Sequence, residues 1–126
     1  MFRKAAFAMA LTASAFIASA AQAHPKLTSA TPAANTVVAA PSEIQLVFSE
    51  GLVAQFSGID LTMTEMPGMK MGPMKMGGIK ISLAPDGKTL VGALAKPLPA
   101  GTYKLDYHVV STDTHRVQGS YTFKVK

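Results

Sequence analysis

The chain has 126 residues, a formal net charge of +5 and no cysteine. No disulfide can therefore cross-link the fold, and no thiolate can bind a metal. The basic residues are scattered rather than arranged in a stripe with aromatic residues, which argues against a nucleic-acid-binding protein.

The N-terminal segment has the parts of a secretory signal peptide. A basic pair, RK, precedes an apolar run rich in alanine and serine, and the small-x-small motif AQA follows it. The run falls short of the roughly 20 strongly apolar residues that a membrane span needs. We therefore predict that residues 1–23 are removed during export. Residues 24–126 would then form one soluble domain that begins at His24.

Alternation of apolar and polar residues dominates the predicted domain. The clearest runs are EIQLVFSE, GIDLTM, TYKLDYHVV and SYTFKVK, and Pro, Gly, Asn or Asp residues bound each run. About seven short strands in about 100 residues predict an all-β domain, an antiparallel sandwich or a partly closed barrel. Residues 64–78 lack this alternation and exceed a hairpin turn, so we predict a long functional loop there.

Six methionines lie within fourteen residues, and they are Met63, Met66, Met69, Met71, Met74 and Met76. The Gly and Pro residues among them exclude a helical stripe. A thioether is neutral and polarisable and suits Cu(I), and it stays available as a sulfur ligand in an oxidising compartment. The pattern favours a soft-metal site over core filler or an adhesive apolar surface, the alternatives that methionine also serves. The strand register of Met63 also fits the core.

Cleavage before His24 would create a chelating residue at the new N-terminus. The α-amino nitrogen and the imidazole Nδ1 of one histidine can bind the same metal ion. Pro25 has no N–H, so its backbone amide cannot be recruited as a further ligand. The remaining ligands must come from elsewhere in the fold. Nitrogen ligands of this kind favour Cu(II) among divalent ions.

The segment STDTHRVQG supplies the best further ligands, Asp113 and His115. Either both reach one ion, or the carboxylate orients the imidazole. The competing interpretation is an ordinary turn in which Asp113 accepts local N–H groups. Glu50, in FSEG, either holds a histidine ring from outside the ligand set or simply ends a strand. His108 lies on the polar face of its predicted strand and is interpreted as a surface residue.

Four segments together resemble the CopC-type periplasmic copper-resistance proteins, and they are HPKLTSATP, FSEGLVAQFSG, MTEMPGMKMGPM and AGTYKLDYHVVSTDTHRVQGSYTFKVK. The resemblance implies a seven-stranded Greek-key β-sandwich or barrel, cupredoxin-like in shape, with separate Cu(II) and Cu(I) sites. The implied Cu(II) site uses the amino group and ring of His24, Asp113 and His115, with Glu50 nearby. The implied Cu(I) ligands are Met63, Met66, Met69 and Met74. Met71 replaces a histidine of the family's methionine loop, and Met76 adds a further sulfur.

The leading hypothesis is an exported copper-binding carrier for copper resistance or homeostasis, not an enzyme. The resemblance implies delivery to an inner-membrane copper transporter or exchange with a periplasmic copper oxidase, and it leaves open a homodimer bridged by copper. One alternative is a copper-dependent oxidative enzyme, because such enzymes also bind copper through an N-terminal histidine. The other is a metal-free interaction module whose methionine loop grips an apolar partner.

Overall fold

The computed structural model describes residues 24–126, except for the side chains of Lys70 and Met71. The predicted signal peptide, residues 1–23, lies outside the described residues. The strands within the described part are β1 (Leu27–Thr31), β2 (Val37–Val38), β3 (Glu43–Phe48), β4 (Gly58–Met66), β5 (Met69–Met76), β6 (Ile79–Leu83), β7 (Thr89–Leu94), β8 (Gly101–Val110) and β9 (Arg116–Val125). A 3-10 helix, Ala54–Phe56, precedes β4. From residue 24 onward, no helix has the length and apolar character of a membrane span.

The strands form two sheets that pack as a sandwich. One sheet has the order β1-β3-β7-β6, and the other has the order β2-β9-β8-β4-β5. Neighbouring strands are antiparallel, apart from the short parallel pair β2–β9. The chain crosses between the sheets after β1, β2, β3, β5 and β7, which is consistent with a Greek-key sandwich. The predicted all-β sandwich is confirmed, although the described residues divide into nine strands rather than seven.

The core lies between the two sheets and follows the alternation of the sequence. Its buried apolar side chains include Ile44, Leu46, Phe48, Leu61, Leu90, Tyr103, Leu105, Val109 and Phe123. The rings of Tyr103 and Phe123 stack with their centroids 5.6 Å apart. The Tyr103 hydroxyl donates a hydrogen bond to the Pro99 carbonyl at 2.7 Å, which satisfies its polar end inside the core.

The prediction of a long loop over residues 64–78 is wrong. Strand β4 continues to Met66, and a two-residue turn at Pro67 and Gly68 leads directly into β5. Gly68 has a φ of 76°, so these residues match the Pro-Gly requirement of a type II turn. Strand β5 tolerates Pro73 because it lies at the edge of its sheet, where one side needs no hydrogen bond. Pairing with β4 therefore makes a strand from a segment with little strand character of its own.

Candidate metal centres

His24 is anchored beside the end of β3 by the two residues that follow it. The Pro25 side chain is fully buried. The Lys26 N–H donates to Ser49 Oγ, and the Ser49 N–H donates to the Lys26 carbonyl, both at 2.9 Å. His24 itself is exposed. Its backbone nitrogen is an amide in the 126-residue chain and would become an amine only after cleavage behind Ala23.

The turn between β8 and β9 carries the other two predicted ligands to the same end of the sandwich. The Ser111 N–H donates to the His115 carbonyl at 2.9 Å, and the Thr114 N–H donates to the Ser111 carbonyl at 2.9 Å. The Thr112 N–H donates to the Gly51 carbonyl, also at 2.9 Å. This last bond ties the turn to the segment after β3, where Glu50 is half-buried.

The carboxylate of Asp113 connects the protein interior to the ring of His115. It accepts a close hydrogen bond from Ser111 Oγ, and its other oxygen lies 3.0 Å from His115 Nδ1. The Ser111 hydroxyl, followed by the backbone N–H of His115, holds the pKa of Asp113 below its usual value. An ionised carboxylate can only accept, so Nδ1 must carry the proton. The His115 nitrogen that can offer a lone pair to a metal is then Nε2.

The two imidazoles of this end meet. The ring centroids of His24 and His115 lie 5.1 Å apart, with the ring planes at 56°. Among residues 24–126, however, no three histidine, aspartate or glutamate side chains converge in an arrangement that could hold a metal ion. Asp113 is directed at His115. We call this set, His24, Asp113 and His115, the histidine end.

His108 does not belong to the histidine end, although it lies on β8 only two residues before the strand ends at Val110. It lies exposed on the outer face of the sheet, and its ring covers Gly58, where an added Cβ would come within 2.5 Å of His108 Cε1. The interpretation of His108 as a surface residue is confirmed.

The methionines lie on the β4–β5 hairpin, where cross-strand pairing groups them. Met63 pairs with Met74, and Met66 pairs with Met69 near the turn. Directly opposed residues of an antiparallel pair share one face of the sheet. The pairing register shifts between Met63 and Glu65, where two residues of β4 advance against one residue of β8, and this bulge returns Met66 to the face of Met63. The two pairs lie three residues apart along β4, or about 10 Å, a distance that two methionine side chains can together span. Lys75 lies on the opposite face, where its Nζ is 3.4 Å from Asp60 Oδ1.

The methionine side chains differ strongly in exposure. Met63 is 2% exposed and belongs to the hydrophobic core, whereas Met66 is 39%, Met74 48% and Met69 64% exposed. Met76 is partly buried and packs against the core. Among the methionine side chains that the structure describes, those that a soluble ligand can reach without disturbing the core are therefore Met66, Met69 and Met74. We call these three the exposed methionines.

The histidine end and the methionine hairpin occupy opposite ends of the sandwich. Met63 pairs with Tyr103 near the start of β8, whereas the turn that holds His115 begins where β8 ends at Val110. At about 3.3 Å per residue, the stretch from Tyr103 to Val110 spans about 23 Å. No metal ion can contact both ligand sets of one molecule.

Ser111 is the site residue that the sequence analysis missed. It is 1% exposed, and its hydroxyl donates a hydrogen bond to Asp113. The same hydroxyl oxygen accepts a hydrogen bond from the His115 N–H at 3.2 Å. The signal was present in the alternation of β8. Ser111 follows Val109 by two residues and therefore occupies an inward-facing position, where a polar side chain needs a specific partner.

Comparison with known proteins identifies relatives of the whole chain. Residues 27–126 match the model of the CopC domain family. The chain is 49% identical over 126 residues to Copper resistance protein C of Pseudomonas syringae pv. tomato. The alignment covers 100% of this chain and 99% of that protein.

Two solved structures share the fold. The structure of PcoC, described as a methionine-rich copper resistance protein from Escherichia coli, has a TM-score of 0.74 at 49% identity and covers 82% of this chain and 100% of its own. The structure of CopC from Methylosinus trichosporium OB3b has a TM-score of 0.65 at 30% identity and covers 82% of this chain and 94% of its own.

Proposed function

We propose that the chain, which belongs to the CopC family, is a periplasmic copper-resistance protein that binds and carries copper rather than an enzyme. The observation that carries this proposal is the meeting of His24 and His115, whose ring centroids are 5.1 Å apart, at the point where signal-peptide cleavage would create an amino group. Copper is the cargo of the protein in this proposal.

The histidine end would hold Cu(II). Cleavage behind Ala23 adds the amine of His24 to its imidazole, and His115 contributes Nε2 because Asp113 engages Nδ1. These nitrogens make a donor set that suits Cu(II). Asp113 would act by fixing the ring orientation of His115, as carboxylates next to metal-bound histidines commonly do. Glu50 remains a predicted neighbour of this site rather than a ligand.

The exposed methionines would hold Cu(I). Their thioethers are soft, uncharged donors, and a monovalent ion loses little from the nearby lysines of the hairpin. Met71 is a further predicted donor whose side chain lies outside the described residues. Met63 would support the site from the core, and Met76 would support it from the edge of the core.

A change in the oxidation state of copper would release it from either site. Reduction of Cu(II) weakens binding by the nitrogen ligands, and oxidation of Cu(I) weakens binding by the thioethers. The carrier could then pass copper to an inner-membrane copper transporter or exchange it with a periplasmic copper oxidase. These partners are proposals based on the family resemblance.

The test is a pair of anaerobic titrations, with Cu(II) and with Cu(I), on protein that begins at His24. The matched control carries one extra alanine before His24, which turns the His24 amine into an amide and moves the free amine to the added residue. We expect the extra residue to abolish tight Cu(II) binding and to leave Cu(I) binding unchanged. Equal Cu(II) binding by both proteins would refute the role of the N-terminal amine. Oxygen and reductant consumption well above that of free copper would instead indicate an enzyme.

A further inference from the structure

We propose that the exposed methionines, Met66, Met69 and Met74, are an oxidative modification site at which a peroxide converts the thioethers to sulfoxides and switches off the sulfur ligand set. The modification rests on exposure alone. The effect of oxidation on Cu(I) binding rests on the proposed Cu(I) site, so oxidation and copper binding are tested separately.

The exposure of the methionines divides them into reactive and protected groups. The exposed methionines are between 39% and 64% exposed, while their neighbour Met63 is 2% exposed in the core of the same hairpin. A peroxide must contact the sulfur atom to oxidise it, so access decides which methionines react. After removal of residues 1–23 the protein would contain no methionine outside this hairpin. All oxidation of methionine would therefore fall on one structural unit.

The reaction transfers one oxygen atom from the peroxide to sulfur. The O–O bond breaks and an S–O bond forms, and the second oxygen leaves as water when the oxidant is hydrogen peroxide. Sulfur loses two electrons, and the peroxide gains them. The product sulfoxide is polar and presents an oxygen atom, so it no longer offers the soft sulfur that Cu(I) prefers. Methionine sulfoxide reductases reverse this change, so the switch can be reset.

The surrounding structure confines the effect to the hairpin. The exposed methionines lie outside the hydrophobic core cluster, and β5 is an edge strand, so a polar sulfoxide at these positions meets solvent. The histidine end contains no sulfur and lies about 23 Å away along β8. Oxidation should therefore remove Cu(I) binding while it leaves both the fold and Cu(II) binding intact.

The experiment treats metal-free protein beginning at His24 with limited hydrogen peroxide and maps sulfoxides by peptide mass spectrometry over time. We expect Met69, Met74 and Met66 to react at least about tenfold faster than Met63, because oxidation follows access. Oxidation of Met63 at the same rate as the exposed methionines would overturn the proposed site.

The second arm measures copper binding and stability before and after treatment. We expect oxidised protein to lose Cu(I) binding against a competing chelator, to keep its Cu(II) affinity and melting temperature, and to recover Cu(I) binding with a methionine sulfoxide reductase. The control variant, Met66→Leu with Met69→Leu and Met74→Leu, should bind Cu(I) poorly with or without peroxide. Unchanged Cu(I) binding by fully oxidised protein would overturn the switch. Absence of Cu(I) binding before treatment would refute the Cu(I) site of the proposed function, whatever the oxidation map shows.

Discussion

Substitution of Met63 distinguishes a core residue from a copper ligand within a single hairpin. The side chain is 2% exposed and pairs with Tyr103, itself fully buried, on the neighbouring strand. Truncation of a buried methionine to alanine costs about 2–5 kcal/mol, so we expect Met63→Ala to lower the free energy of unfolding by about 3 kcal/mol. For a domain of this size that loss corresponds to a decrease in melting temperature of about 15 °C. Thermal and urea unfolding measure both quantities.

The matched surface variant is Met69→Ala. Met69 is 64% exposed, so its truncation should change stability by no more than about 0.5 kcal/mol. Met63→Leu keeps the core volume and should cost less than about 1.5 kcal/mol. We expect Cu(I) titration to give parent-like affinity for Met63→Leu and a clear loss for Met69→Leu. A stable Met63→Leu protein that binds Cu(I) as poorly as Met69→Leu would refute the assignment of Met63 to the core alone.

Two further substitutions test the supports around the sites and turns. Ser111→Ala should lower Cu(II) affinity about 10–100-fold, because it removes the hydroxyl that positions Asp113 against His115. Cu(I) affinity should stay unchanged in the same preparation, and an unchanged Cu(II) affinity would show that Asp113 needs no such support. Asp86 accepts hydrogen bonds from the Lys88 N–H and from both the N–H and the hydroxyl of Thr89, which lower its pKa from 3.8. Because the folded pKa lies below the unfolded value, its carboxylate stabilises the fold above pH 3.8 and loses this effect as the pH falls through the folded pKa. Asp86→Asn should therefore melt below the parent at neutral pH, and the difference should shrink in acid; a pH-independent difference would contradict the linkage.

The strands of the core could be predicted because their pattern is local. In β3 and β8 the apolar residues recur at every second position, and those positions are the buried ones. Strand β5 could not be predicted this way, because methionine, glycine and proline carry little strand preference. Its conformation comes from pairing with β4 and from the turn at Gly68, and both depend on residues outside the segment.

The residue types of the candidate sites could be predicted, but the role of each residue within its site could not. The spacing of Asp113 and His115 allowed either a shared ion or an orienting carboxylate. Only the side-chain conformation favours the second, since Asp113 Oδ2 lies 3.0 Å from His115 Nδ1. Equally, a run of methionines in the sequence does not show which of their side chains are buried. Met63 is buried, unlike the three exposed methionines, because its side chain packs into the core between the two sheets.

The placement of the two proposed ligand sets at opposite ends of the sandwich would decide the kinetic order of direct copper exchange between them. Within one molecule, direct ligand exchange would have to cross the length of β8, about 23 Å without intervening donors of either set. Two molecules in contact end to end have no such gap. Once an added reductant has converted Cu(II) to Cu(I), direct transfer of copper from the nitrogen ligands of one molecule to the sulfur ligands of another should therefore be second order in protein. Its initial rate should then rise with the square of the protein concentration.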